Sequence, residues 1–515
     1  MDLTTLEIAG FSLPCYSLNT LIIGSGAAAL NAALHLLEQG QTDVAVATER
    51  WGGGTSSNTG SDKQTYYKLS LSGEEPDSVR EMAQDLFRGG CMHGDIALCE
   101  AQNSVRAFFH LVDLGVPFPF SRYGAYVGYK TDHDPRERAT SAGPLTSQLM
   151  FKSLSREVKD RGVRIFDRHQ VVALLTRDIP EGREVAGALS LDYSSGDEEE
   201  PCFVVFNARN IIQGTGGPAG IYATSVYPES QLGSSGMALA AGAVGHNLTE
   251  SQFGLASTKF RWNLSGTYQQ VLPRYISTDR EGGDETEFLN PFFPDMGRLL
   301  TAIFLKGYQW PFDPRKVKDY GSSLIDILVY RETVQKGRRV FLDFTRNPSG
   351  GGVLDEFELS KLNLEAFSYL ERSGALLDSP FQRLQKMNQP AIDLYRDHGI
   401  DIGAEPLEIA VCAQHNNGGL EANIWWESNL RHLFPVGEVC GTHGVYRPGG
   451  SALNSGQVGS LRAALFISRR YPEPPPPVSE FLGSVRSQIE SRLKWAREVV
   501  DPSLPDERGT EQALR

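Results

Sequence analysis

Three groups of residues bring chemistry-bearing side chains together at telling spacings. Late in the chain, Phe434-Pro435-Val436-Gly437-Glu438 runs into a glycine-rich loop that carries one arginine, Arg447, and then into Ser451-Ala452-Leu453. Glycine leaves no side chain in the way of a flat cofactor, and Arg447 would be a strong anion ligand among backbone amides. Upstream, His415 stands just before the pair Gly418-Gly419. Near the start, Gly24-Ser25-Gly26-Ala27-Ala28-Ala29 follows the apolar run Thr20 to Ile23, and Glu49 closes the next apolar run. A carboxylate so placed can accept both hydroxyls of an adenosine ribose while a helix N-terminus faces a pyrophosphate. The alternative is an ordinary strand, turn and helix of another α/β domain.

The elements that must position these residues follow from the pattern. Leu30, Leu34 and Leu37 recur at helical spacing up to Gly40, and Val44 to Ala47 predicts the next strand, so 20–47 reads as the first half of a βαβ unit. The stretch Trp51 to Ser61, with Gly54, Thr55, Ser56 and Gly60, is too rich in glycine and hydroxyls for a core element. It suits a wrap for phosphates and a ribityl chain, the alternative being a surface linker. Residues 79–112 read as mostly helical, 162–166 and 171–175 as strands, and Asp197-Glu198-Glu199-Glu200 as a solvated hairpin turn. Ala208 to Gln213 gives a second strand-to-glycine crossing at Gly214-Thr215-Gly216-Gly217, followed by a small-residue helix over 233–243. The aromatic residues Trp262, Tyr268, Tyr275, Phe292, Phe293, Tyr308 and Trp310 crowd the middle, and Tyr471 to Pro477 is a stiff linker to a helix over 478–499.

Length and charge narrow the class. A chain of 515 residues calls for two or three domains, and a net charge of -14 disfavours nucleic acid as the partner. The six cysteines contain no C-x-x-C pair, so a metal or iron–sulfur site made by this chain alone is not expected, and a reducing cytoplasm is the expected location. Neither a basic secretory leader nor an apolar run long enough to span a bilayer is apparent.

In order along the chain, the glycine crossings, the 233–243 helix, the His415-Asn416-Asn417-Gly418-Gly419 segment and the Gly437 to Gly450 loop resemble the motifs of the fumarate reductase and succinate dehydrogenase flavoprotein superfamily. L-aspartate oxidase and adenylylsulfate reductase are its relatives, and the match covers roughly residues 18–470. The resemblance implies an α/β fold: a Rossmann-like FAD-binding domain with a parallel sheet and a smaller antiparallel sheet, interrupted by an α+β capping domain. The expected division is 1–250 and 406–470 for the FAD-binding domain, 251–405 for the cap, and 471–515 for a linker, helix and tail.

The resemblance implies FAD held by Gly24, Gly26, Ala28, Glu49, Gly54, Thr55, Ser56, Gly60, Val171, Thr215, Gly216, Gly217, Glu438, Ser451, Ala452 and Leu453. The 52–63 loop contains no histidine to which the ring could be joined, so the expected FAD is non-covalent. His415 and Arg447 are the implied cations that hold a substrate anion or carbonyl. Two departures speak against fumarate. Gln252-Phe253-Gly254-Leu255-Ala256 stands where the family has Q-F-H-P-T, and the family's R-D-x-x-x-R helix aligns with Gly321 to Asp326, leaving Arg331 as the substitute proton-delivering arginine. The resulting expectation is an FAD-dependent reductase of an activated alkene, an aromatic or cyclic enoate rather than fumarate, with electrons from a separate iron–sulfur or flavin subunit. The alternatives are an amino-acid or hydroxyacid oxidase similar to L-aspartate oxidase, and an FAD-containing electron-transfer subunit.

Overall fold

The computed structural model describes residues 1–73, 75–194 and 202–500. The acidic run 197–200 and the tail beyond 500 lie outside the described residues. The main sheet is built on the strand Phe11–Ile23, flanked in parallel by Val44–Thr48 on one side and Cys202–Gln213 on the other. Arg164–Asp167 extends the sheet past Val44–Thr48, and Leu433–Pro435 returns to pair in parallel with Cys202–Gln213. Leu18, Leu21, Ile22, Ala45, Val46, Ile211 and Ile212 are wholly buried, as strands covered on both faces require. An antiparallel extension, Gly182–Asp192 and His169–Ile179, completes the mixed α/β architecture.

Helix Ala27–Glu38 packs against the long helix Ser451–Arg470, so the two glycine-loop segments of the sequence meet in space. Their contact uses small residues: Ser460 Oγ donates to the Ala28 carbonyl at 2.8 Å, and Asn31 Nδ2 donates to the Gln457 carbonyl at 3.1 Å. Asp2–Ile8 forms a hairpin with the start of Phe11–Ile23. Its alternating burial is that of a half-covered sheet, and Pro14, which pairs only with Thr5, sits where a missing N–H is tolerated at an edge.

The segment expected as the cap has its own core, centred on Leu255, Tyr268, Leu300, Ile303, Leu342 and Tyr395. Its five-stranded antiparallel sheet runs in the order Trp262–Asn263, Ser251–Ser257, Leu407–Asn416, Arg339–Asp343, Arg274–Thr278. Leu407–Asn416 lies in the segment that the sequence assigns to the return into the FAD-binding domain, so this strand belongs to the cap sheet at one end and reaches the cofactor domain at the other. Trp262, Tyr268, Tyr275 and Phe293 are core residues, the plain packing role expected of most aromatics in this region.

The proline linker lies along the sheet end. Asn19 Nδ2 donates to the carbonyls of Tyr471 (2.9 Å) and Glu473 (2.7 Å), and Asn207 Nδ2 to that of Pro476 (2.8 Å). The C-terminal helix Val478–Val500 then buries Phe481, Val485, Ile489, Leu493 and Ala496 against the hairpin and the antiparallel strands. No helix among the described residues is long and apolar enough to cross a membrane.

Candidate active site

One cavity of about 1730 Å³ runs from the first glycine turn to the cap. At the turn, Gly24 has φ +103°, and a Cβ there would stand 2.5 Å from the carbonyl oxygen of Gly214. Glycine is therefore required where the two strand-to-glycine crossings touch. Gly26 caps helix Ala27–Glu38 without a side-chain hydrogen bond, and Gly450 does the same for helix Ser451–Arg470. Both helix starts reach the cavity, through Ala27 and Ala28 and through Ala452 and Leu453. At the first helix the Ala27 N–H donates to Ser56 Oγ at 3.1 Å; two glycine-led helix N-termini opening on one elongated cavity suit a ligand with a central pyrophosphate and a ring that carries negative charge when reduced.

Most of the residues expected to hold FAD do line this cavity: Gly24, Gly26, Ala28, Glu49, Gly54, Thr55, Ser56, Gly60, Val171, Thr215, Gly216, Glu438, Ala452 and Leu453. Burial raises the Glu49 carboxyl above its ordinary range. Gly217 and Ser451 are adjacent but do not line it. A Cβ on Gly217 would meet Asn416 Nδ2 at 2.6 Å and Glu438 Oε1 at 2.7 Å, so this glycine makes room for the Glu438 network instead. Glu438 Oε1 accepts from the Asn416 N–H at 2.8 Å and from the Tyr227 hydroxyl, and burial raises its pKa.

Arg447 is held from three sides. The backbone of its loop is pinned to the turn after helix Val79–Arg88 by Val445 N–H to the Gly90 carbonyl (3.0 Å) and Tyr446 N–H to the Gly89 carbonyl (2.9 Å). The guanidinium donates from Nε to Asn417 Oδ1 at 3.1 Å and from Nη2 to Gln252 Oε1 at 2.7 Å. Burial pulls its pKa to about 10, opposed by Glu438, Tyr227 and Glu100, so it remains a cation at neutral pH.

His415 lies beside it, opposite Gln252 in the cap sheet, with its ring edge-on to His443 at 4.9 Å. Burial, the Arg447 charge and His443 hold its pKa well below the ordinary value. His415 is thus neutral, which corrects the expectation of two substrate-binding cations: Arg447 alone of this pair is charged. Its tautomer follows from the neighbours. Asn417 Nδ2 donates to the Val445 carbonyl at 2.9 Å, which fixes Asn417 Oδ1 as an acceptor, and His415 Nδ1 lies 3.1 Å from that oxygen. The proton therefore sits on Nδ1, and Nε2 is a bare acceptor.

The opposite wall differs from what the sequence suggested. Arg331 does not line the cavity: it is exposed on the cap, its guanidinium over the Phe292 ring. Two cap arginines do line it, Arg372 and Arg315, the latter held by Asp313 at 2.8 Å and stacked over the Tyr446 ring at 3.5 Å. At Gly254 the indole of Trp310 occupies the room of a side chain, since a Cβ there would overlap the indole, standing 2.6 Å from Trp310 Cε2. Among the described residues Trp310 Nε1 and Gln414 Oε1 are both buried without a hydrogen-bond partner, and Gln414 Nε2 donates to the Gly254 carbonyl at 3.0 Å. Sequence reasoning also missed Glu100, a carboxyl buried beneath helix Ser451–Arg470. Its Oε1 accepts from Ser455 Oγ at 2.6 Å, and burial raises its pKa to about 8. A charged residue amid the buried positions Ile96, Ala97, Ala101 and Ser104 of one helix face was the available signal.

The chain is similar to known proteins. The family described as "FAD binding domain" matches residues 19–277. One subunit of the fumarate reductase (CoM/CoB) of Methanothermobacter marburgensis is 26% identical over 493 residues, covering 94% of this chain and 77% of that protein. L-aspartate oxidase 2 of Ralstonia nicotianae is 23% identical, covering 84% and 69%. Among solved structures, a chain of the E. coli quinol fumarate reductase superposes with a TM-score of 0.65 at 17% identity, covering 93% of this chain and 74% of that one.

Proposed function

From the premise that the chain belongs to the FAD-binding family matched over residues 19–277 and is an FAD-dependent oxidoreductase, we propose that it reduces an activated alkene whose carbonyl or carboxylate is held by Arg447. FAD, when bound, supplies the hydride chemistry. The observation that carries the reading is the tethered Arg447 cation: fixed by Asn417 and Gln252, it needs no reorganisation to stabilise negative charge developing on a conjugated carbonyl. Gly254 with Trp310 makes the facing wall an indole edge, which supports an aromatic or cyclic enoate over fumarate. Arg315 takes the cap-side position beside the cavity that Arg331 does not reach. Electrons would come from a separate protein, as the description of the methanogen relative as one subunit of its reductase supports. The protein would act in the cytoplasm.

The test is anaerobic photoreduction followed by mixing with aryl acrylates, cyclic enoates and fumarate. The expected result is fast reoxidation by a member of the first two groups and a loss of roughly 30- to 1,000-fold in Arg447→Ala, the range for removing a donor aimed at developing charge. Reoxidation by fumarate as fast as by any aryl acrylate would refute the substrate class.

A second reading is favoured by His415. A neutral imidazole with Nε2 free to accept can take an N–H or O–H proton from an amino or hydroxy acid held by Arg447, the demand of an oxidase. The L-aspartate oxidase relatives support it. Peroxide formed in air with an amino acid, absent in His415→Ala, would select this reading. A third, an FAD-containing electron-transfer subunit, is selected by reduced protein that no alkene or amino-acid product reoxidises.

A further inference from the structure

The C-terminal helix Val478–Val500 lies beyond the proline linker, and none of the site residues expected from the sequence belongs to it. Its placement brings it to the cavity. Glu480 pairs with Arg177 at 3.2 Å, and Gln488 clasps the backbone of Thr176, accepting from its N–H at 3.1 Å and donating to its carbonyl at 2.7 Å. As the helix number rises, the partner number on strand His169–Ile179 falls, so helix and strand run antiparallel. From Gln488 to Trp495 the helix advances about 10 Å at 1.5 Å per residue. On the strand, about 13 Å at 3.3 Å per residue leads from Thr176 back to Val172. Trp495 is thereby carried to the head of that strand, and Arg492, Trp495, His169, Gln170, Val171 and Val172 all line the cavity at the Glu49 end.

The side chains there are unusual for a solvated helix face. Trp495 is 60% exposed and Val172 38% exposed, so two apolar groups flank an open slot. Arg492 precedes Trp495 by three residues and therefore lies on the same helix face. Behind them Leu493 and Ala496 are buried against the sheet, so the face is rigidly seated. Tyr193, 36% exposed and outside the cavity lining, donates a hydrogen bond from its hydroxyl to the Glu49 backbone carbonyl at 2.6 Å, which fixes the backbone that carries the carboxylate. An indole and a guanidinium, both planar, beside a carboxylate suited to a ribose are the components of a stacking site for an adenine ring.

We propose that Trp495 and Arg492 of the C-terminal helix form the outer wall of the adenine subsite of FAD, so that this helix is a cofactor-binding element. The inference rests on the shown FAD chemistry and not on the alkene reading. Its test reads binding, not turnover. Holoenzyme is diluted and released flavin followed by fluorescence to give the Kd for FAD, and ADP is titrated as a competitor during reconstitution. Trp495→Ala, a change at an exposed position, is expected to weaken FAD and ADP alike by about tenfold, the lower part of the range for losing one base–aromatic stack. Trp495→Phe should recover most of the loss, and Arg492→Ala should shift both ligands in the same direction. An unchanged FAD affinity in Trp495→Ala, a loss for FAD without one for ADP, or wild-type protein from which ADP does not displace FAD would each overturn the proposal.

Discussion

Replacing Glu100 by glutamine should make the protein more stable at alkaline pH, and the size of the effect follows from burial. The carboxyl moves from an ordinary 4.5 to about 8 in the folded chain because it is enclosed, with the Ser455 hydrogen bond and the Arg447 charge opposing the rise only partly. Between these two values the unfolded chain has lost the proton and the folded chain keeps it. Stability is then fullest below about 4.5 and falls by about 1.4 kcal/mol per pH unit until the folded group ionises near 8, a total of roughly 5 kcal/mol. Glutamine keeps the shape and the acceptor for Ser455 but has no proton to lose. Urea unfolding of wild type and Glu100→Gln at pH 5, 6, 7 and 8 isolates the effect, because every other titrating group cancels in the difference. The expected difference grows steadily in favour of the variant, by about 3–4 kcal/mol across that range. A difference flat with pH would show that the carboxyl titrates normally, and the reasoning from burial would fail.

Two further outcomes are expected. Gly254→Ala should cost about 1–3 kcal/mol, since the new methyl overlaps the Trp310 indole, and adding Trp310→Ala should remove most of that interaction in a double-mutant cycle read by thermal unfolding; simple additivity of the two changes would contradict the contact. Acid precipitation should leave the flavin in the supernatant, the 52–63 loop having no histidine to retain it; a yellow pellet would contradict non-covalent binding.

The cofactor half of the site was legible because its requirements are local. A turn at Gly24 with a positive φ, a carboxylate closing the next strand and a glycine loop before a helix each leave a mark within a few residues, and Gly24, Glu49, Gly216 and Leu453 all line the cavity. The substrate wall was not legible because it is assembled across distance. Trp310 fills the space left by Gly254 from more than fifty positions away, and no local pattern announces such a pairing. Arg331 follows the segment that aligns with the family's arginine helix by a turn or so, and the structure puts it on the outer surface. The neutral state of His415 also lay beyond the sequence, since it comes first from burial and then from Arg447 and His443, which belong to a later segment. At the N-terminus the alternation of Leu6, Ile8, Phe11, Leu13 and Cys15 is that of a strand pair, but Pro14 interrupts it where only the edge position makes proline harmless.

The two hydrogen bonds of Arg447 have a mechanical consequence. The loop that carries it is fastened through Val445 and Tyr446 to Gly90 and Gly89 in the cofactor domain, whereas Gln252, whose Oε1 accepts from its Nη2, belongs to the cap sheet. The arginine is therefore a latch between two bodies with separate cores. Any shift in how the cap sits moves an acceptor of this guanidinium, so the seating of the cap and the placing of the arginine are linked. A cap transplanted from a relative would keep that linkage only if it brought an acceptor to the place of Gln252.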